Sequence, residues 1–245
     1  MLIIGHRGAR HEAPENTIPG FRYAVDIGLK AVEFDVQLTG DGHLVVIHDT
    51  TVDRTTNGSG PVSSFTLAEL QTFDAHDRFP DWPESCHIPT LAEVLDVVQD
   101  MSYLLIEIKR DRTERLERIV PAVIAEIRKR KLSRKVTISS FDPSALDLAL
   151  ETAREIPRML NGAWREPNLR ARAIAAGCTD VDFDALETGQ DHVDWARAEG
   201  MGIVGWPCNA GEDLDRLLAY GVDGVGTDRP ALVQELCWQR GITVA

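Results

Sequence analysis

Nowhere in this chain does an apolar run approach the length of about eighteen residues that a membrane-spanning helix needs. The opening MLIIGHRG has four apolar residues before polar ones follow, too few for the core of a signal peptide. Cysteine is scarce. Cys86, Cys178, Cys208 and Cys237 form no CxxC pair and no Cys/His spacing of structural zinc, so reduced, ordinary thiols are expected. Positive charge is in deficit: 26 Lys+Arg face 39 Asp+Glu, a formal net charge of −13 at pH 7. That excludes broad binding to nucleic acid or to an anionic membrane, both of which need clustered Lys and Arg. A small anionic ligand stays compatible, because a local cluster or a bound cation can reverse the sign inside one pocket. These absences lead us to expect a cytoplasmic, soluble protein with no nucleic-acid partner and no stable membrane insertion; they set no oligomeric state.

What the chain does contain is a rhythm. Short apolar runs at 2–5, 31–38, 44–48, 103–109, 135–139, 157–160, 180–183, 202–206 and 222–226 read as strands. Helical periodicity occupies 17–27, 91–98, 113–130, 144–154, 169–176, 191–199, 212–219 and 231–240. Strands separated by helices imply βαβ crossovers and a parallel sheet. With 44–48 counted as an extension of the second strand, the repeats fit a (β/α)8 TIM-type barrel, a fold that takes about 250 residues. An open doubly wound sheet is the rival, and periodicity alone does not separate the two. Asp142-Pro143 reads as a helix N-cap followed by proline at the first helical position. Gly28, Gly177, Gly200 and Gly221 each stand where a helix needs a left-handed terminal residue. Residues 50–89 break the rhythm with Thr, Ser, Gly, Asp and Pro, and read as a small insertion with a short helix near 67–71, placed as a lid over one barrel end. The expectation is one domain, 1–245, carrying that insertion.

Two strands bear unusual charge. In Ala31-Val32-Glu33-Phe34-Asp35-Val36 the apolar residues alternate with Glu33 and Asp35, so both carboxylates leave one face. Pointed inward, they repel each other and lose hydration, unless a hard divalent cation accepts oxygens from both. The competing reading is a half-exposed strand with an acidic outer face. In Leu104-Leu105-Ile106-Glu107-Ile108-Lys109, Glu107 and Lys109 share a face near the C-terminal end, where parallel sheets place ligand sites. A buried structural Glu–Lys pair is the alternative there. Glu33, Asp35 and Glu107 together supply three carboxylates for one metal, with Lys109 beside an anionic oxygen. His6 and His48 each end a strand, and as a pair they suit general acid/base work near neutral pH. Asp49 is placed to orient its neighbour.

The ordered set His6-Arg7-Gly8, Pro14-Glu15-Asn16-Thr17, Glu33-Phe34-Asp35-Val36, His48-Asp49, Asp53-Arg54-Thr55-Thr56-Asn57-Gly58, Ile88-Pro89-Thr90-Leu91, Glu107-Ile108-Lys109 and Thr227-Asp228-Arg229-Pro230 resembles the glycerophosphodiester phosphodiesterase family in order and spacing. The resemblance spans nearly the whole chain. It implies a (β/α)8 barrel with an insertion after the second strand, and one divalent cation, Mg2+ or Ca2+, on Glu33, Asp35 and Glu107. It implies His6 and His48 as the acid/base pair and Arg7 and Lys109 at the substrate phosphate. The implied reaction is hydrolysis of a small glycerophosphodiester to glycerol 3-phosphate and an alcohol. The chain departs from the family at Trp206-Pro207-Cys208-Asn209, where Trp-Thr-Val-Asn is common, and 162–184 matches nothing that can be anchored.

Three further residues are candidates for substrate contact. Trp206 can offer a π face to a choline-type cation, or else pack in the core or against glycerol carbons. Glu15 and Asn16 can meet phosphate or metal, or else Asn16 or Thr17 simply caps a helix. Two other functions fit the same fold. A phospholipase-like enzyme on intact lipids needs a basic or apolar membrane-facing patch, and the acidic composition offers none. A non-catalytic binding barrel would have lost ligand or histidine positions, and those positions are intact.

Overall fold

The computed structural model describes residues 1–76, 79–162, 164, 166, 168–184 and 186–244; residues 77 and 78 of the insertion lie outside it. In chain order the strands and helices are β1 (Leu2–Gly5), α1 (Ile18–Asp26), β2 (Ala31–Leu38), β3 (Leu44–Val46), α2 (Leu67–Leu70), α3 (Leu91–Val98), β4 (Tyr103–Ile108), α4 (Thr113–Lys129) and β5 (Val136–Ser140). They continue as α5 (Pro143–Thr152), β6 (Arg158–Leu160), α6 (Leu169–Ala175), β7 (Asp180–Asp184), α7 (Gln190–Ala198), β8 (Gly202–Trp206), α8 (Gly211–Tyr220), β9 (Gly224–Thr227) and α9 (Pro230–Gln239).

The strands run β1-β9-β8-β7-β6-β5-β4-β2-β3, and β1 also pairs with β2, which closes the barrel. Every pairing is parallel except β2 with β3. Closure rules out the open doubly wound sheet. Residues 44–46 do not prolong β2: they turn back and pair antiparallel with its last residues, Val36 opposite Val46 and Leu38 opposite Leu44. A parallel barrel strand carries helices outside and side chains inside, so both faces are buried. On β2, Val32, Phe34 and Val36 join the core between sheet and helices, while Glu33 and Asp35 take the other face and are also buried. The half-exposed acidic strand is thereby excluded. Ile4, Ala31, Leu105, Met159 and Val204 form a separate cluster, the apolar plug of the barrel interior below the site.

The helix ends follow their local chemistry. Thr90 and Glu93 form a capping box at α3, Asp142 caps α5 ahead of Pro143, and Gly28, Gly177, Gly200 and Gly221 all have positive φ. The insertion builds its own small core from Val45, Ile47, Val52, Val62, Leu70, Ala75, Cys86 and Ile88. Among the described residues of 48–89, only His48 lines the main cavity. The four cysteines are free and buried. No helix among the described residues is long and apolar enough to cross a membrane.

Candidate active site

The strand ends converge on a cavity of about 550 Å³, lined by residues from β1 round to β9. Its metal-like corner begins at Gly5, where an added Cβ would lie 2.0 Å from the carbonyl oxygen of Gly8. Only glycine therefore lets the turn at 6–8 fold back on β1. In that turn Arg7 has φ 52, and in the next loop Asn16 has φ 55. Left-handed backbone in such residues costs roughly 1–3 kcal/mol each and persists only where its surroundings impose it. The gain is placement. The Arg7 amide donates to Glu33 at 3.0 Å, and its guanidinium donates to Glu15 at 2.9 Å and pairs with Asp35 at 3.4 Å. Asn16 Nδ2 donates to Asp35 at 2.9 Å, while Thr17 next to it caps α1 through Gly20. Neighbouring residues thus divide the two roles left open by the sequence.

Glu33, Asp35 and Glu107 each bring one oxygen within 4.8 Å of the others, all buried. Asp35 and Glu107 are register partners across β2 and β4. Lys109, just past the end of β4, reaches Glu107 at 2.6 Å and Asp35 at 3.2 Å. Burial, then the neighbouring Asp35 and Glu107, raises the pKa of Glu33 well above its ordinary value. Burial and Asp35 push Glu107 up to about 7. Asp35 goes the other way: burial opposes its charge, but Lys109 and Arg7 hold it below the usual range. Such a cluster is under-compensated without a further cation. The donor chemistry fits a hard one. Asn16 Oδ1 is buried without a hydrogen-bond partner among the described residues, on the amide that already touches Asp35, and amide carbonyl oxygen is a ligand type that Mg2+ and Ca2+ accept.

A pH dependence follows. The folded, metal-free protein retains protons on Glu33 and Glu107 that the unfolded chain releases near its ordinary carboxylate pKa. The contribution of Glu107 to stability is therefore present at low pH and lost as pH rises through about 7, and that of Glu33 is likewise lost as pH rises. A divalent cation takes the deprotonated carboxylates and should offset that loss. In chelator-treated protein, Ca2+ or Mg2+ should raise Tm more at pH 8 than at pH 5, each kcal/mol being worth roughly 2–4 °C for a chain of this size. An equal or absent response at the two pH values, read by calorimetry, would count against this cluster as the metal site.

Both histidines are held from behind. His6 Nδ1 lies 2.6 Å from Asp228 Oδ1, and its Nε2 lies 3.9 Å from Glu33. Burial opposes the charge of Asp228, but His6, Arg10 and His11 keep it well below the usual carboxylate range. Asn209 Nδ2 donates to its second oxygen at 2.9 Å. His48 Nδ1 lies 2.6 Å from Asp49, whose carboxylate also accepts from Arg54; Arg54 reaches on to Glu15 at 2.8 Å, and Glu15 to Arg7. Burial first, then Lys109 and Arg7, lowers the pKa of His48. With Nδ1 of each ring engaged by a carboxylate, Nε2 is the nitrogen left for proton exchange.

The far wall comes from β5 to β8. Asp182 on β7 accepts from Trp164 Nε1 at 2.7 Å, Trp206 Nε1 at 3.0 Å and the Gly162 amide at 3.2 Å. Burial still pushes its pKa up to about 7.

Of the residues singled out from sequence, His6, Arg7, Glu33, His48, Glu107 and Trp206 line the cavity, and Asp35 and Lys109 stand directly behind them. Trp206 is 37% exposed at the mouth and not part of the core. Glu15 is buried, with both oxygens taken by Arg7 and Arg54, so it holds these arginines. Asp228, Asn209, Asp182, Ser139 and Asn161 are further polar residues of the cavity that sequence alone does not single out. Asp228 and Asn209 lie within Thr227-Asp228-Arg229-Pro230 and Trp206-Pro207-Cys208-Asn209. Asp182 has a readable signal, since 180, 182 and 184 alternate with Val181 and Phe183 just as the acidic residues of β2 do.

Comparison with known proteins places this geometry. Residues 6–232 match the model of the glycerophosphoryl diester phosphodiesterase family. The chain is 36% identical over 244 residues to a glycerophosphodiester phosphodiesterase of Caldanaerobacter subterraneus, covering 98% of this chain and 99% of that protein. It is 33% identical to a glycerophosphodiester phosphodiesterase of Bacillus subtilis, covering 96% and 86% respectively. Among solved structures, a phosphodiesterase of Oleispira antarctica in complex with the product sn-glycerol-3-phosphate superposes with a TM-score of 0.89 at 29% identity, covering 96% of each chain.

Proposed function

This chain belongs to the glycerophosphoryl diester phosphodiesterase family and is a phosphoric diester hydrolase, and we propose that it cleaves glycerophosphodiesters to glycerol 3-phosphate and a free alcohol with His6 and His48 as its proton-transfer pair. One observation carries the reading. Two imidazoles, each fixed at Nδ1 by a carboxylate, enter the same cavity as a guanidinium and a buried three-carboxylate cluster.

In this reading Arg7 presents its planar fork to the non-bridging phosphate oxygens, and its ties to Glu15 and Asp35 remove the freedom that binding would otherwise cost. One histidine Nε2 takes the proton of the attacking hydroxyl or water, and the other protonates the departing alkoxide. Asp228 and Asp49 fix the tautomer and ring orientation of the two bases. Glu33, Asp35 and Glu107, with Asn16 beside them, would hold Mg2+ or Ca2+, which when bound supplies Lewis-acid stabilisation of phosphoryl charge. Lys109 adds a point charge at the same corner.

The direct test uses metal-stripped protein and glycerophosphocholine, with glycerol 3-phosphate measured enzymatically. Release should appear on adding Mg2+ or Ca2+ and be absent without them. If several glycerophosphodiesters all survive incubation with either cation, the reading is wrong.

A further inference from the structure

The far wall of the cavity holds two polar atoms without a partner among the described residues. Ser139 is 0% exposed and Asn161 is 8% exposed, both line the cavity, and Ser139 Oγ and Asn161 Oδ1 find no hydrogen-bond partner among those residues. Around them the lining is apolar: Leu105, Met159, Val204 and Phe141. A buried polar atom with nothing to bond is costly, and such a pair is retained most readily where a ligand completes it.

Their place in the barrel says which part of a substrate does so. Ser139 is the register partner of Glu107, so it sits on the inner face one strand away from the acidic cluster. A group bonded there is only a few bonds from a phosphorus held at that cluster. This corner is also enclosed, with the apolar plug of the barrel below it. The half of the substrate that leaves needs a route to solvent, which the mouth beside half-exposed Trp206 provides; the half that stays can be enclosed.

Resting on the function proposed above, we infer that Ser139 and Asn161 bind the terminal hydroxyl of the glycerol unit and thereby select glycerol over shorter or deoxygenated diols. One hydroxyl satisfies both atoms, donating to Asn161 Oδ1 and accepting from Ser139 Oγ. Asp182 is the positioning residue. Its Oδ1 accepts from the amide of Gly162, which pins the peptide following Asn161, and from Trp164; its backbone carbonyl meets His192 Nε2 at 3.2 Å. With those donors engaged, Asp182 holds the wall in place while Ser139 and Asn161 meet the ligand.

The test compares glycerophosphocholine with the choline phosphodiester of propane-1,2-diol, which keeps the secondary hydroxyl and the leaving group but lacks the terminal hydroxyl. Wild-type enzyme should prefer the full glycerol by about 10- to 100-fold in kcat/KM, since a site built for a hydroxyl is left unpaired without it. Ser139→Ala and Asn161→Ala should each shrink that preference toward unity, chiefly by losing the glycerol substrate. Asn161→Asp, which keeps an acceptor in place, should retain it; a merely structural loss would not be rescued in this way. Turnover of both substrates with no preference in wild type, or a preference unchanged in both alanine variants, overturns the assignment. So does a change that follows the leaving alcohol, read by exchanging choline for glycerol. Failure of the wild type to turn over these substrates and other glycerophosphodiesters instead overturns the underlying function.

Discussion

Glu107→Ala and Glu33→Ala should each lower kcat/KM by at least about 10³-fold, a loss of about 4 kcal/mol in transition-state stabilisation. They should also abolish the response to added Mg2+ or Ca2+. The size follows from what the histidines can supply. Acid/base catalysis at one site contributes roughly 10²–10⁴-fold, and two such sites fall short of the upper range of enzymatic acceleration. The remainder has to come from charge stabilisation at the acidic cluster and its cations. Removing Glu107 also takes away the 2.6 Å ion pair of Lys109, and removing Glu33 takes away the acceptor of the Arg7 amide. Steady-state kinetics with and without chelator, alongside metal titration by calorimetry, would read both effects. Near-wild-type turnover by both variants would exclude the cluster from the reaction.

His6→Ala and His48→Ala should each lower kcat by about 10²–10⁴-fold with KM changed little, because proton transfer is needed only in the transition state. The double variant should fall well short of the product of the two losses, since groups that act as one unit are not additive. Asp228→Asn separates orientation from chemistry. It keeps His6 in place while removing the charge behind Nδ1, and a loss of about 10²-fold is expected from misdirecting the ring. Rapid-quench measurement of a single turnover would confirm that the chemical step is the one slowed. If either histidine can be lost with full kcat, the paired proton-transfer scheme fails.

Much of this is legible in the amino-acid sequence. The alternation on β2 places Glu33 and Asp35 on one face, and the crossover rhythm makes that face internal once the sheet closes. The helix-ending glycines and the cap at Asp142 are local, so periodicity and turn chemistry reveal them. What escaped is set by neighbours far away in sequence. The pairing of His6 with Asp228 crosses 222 positions, and no spacing rule links the two. The antiparallel return of β3 is three residues long, too short for its direction to show in a hydropathy pattern. Glu15 and Asn16 adjoin in sequence but diverge in role because Asn16 takes a left-handed backbone conformation, which side-chain type alone does not announce. Ser139 looked like a strand terminus, and only the register of β4 with β5 shows that it stands beside Glu107.

The closing seam of the barrel has a consequence for synthesis of the chain. His6 lies just beyond β1, and the carboxylate that orients it lies just beyond β9, which pairs with β1. A nascent chain emerging from the ribosome therefore carries the acidic cluster, both histidines and Arg7 long before it can assemble them with Asp228. The contact between His6 and Asp228 forms only when β9 docks against β1. In a permuted chain that joins residues 1 and 245 and opens within an exposed loop elsewhere, that pair becomes local and the last contact to form moves to the new opening. Onset of turnover during translation is then expected to follow docking of whichever strand is made last, in the native order and in the permuted one.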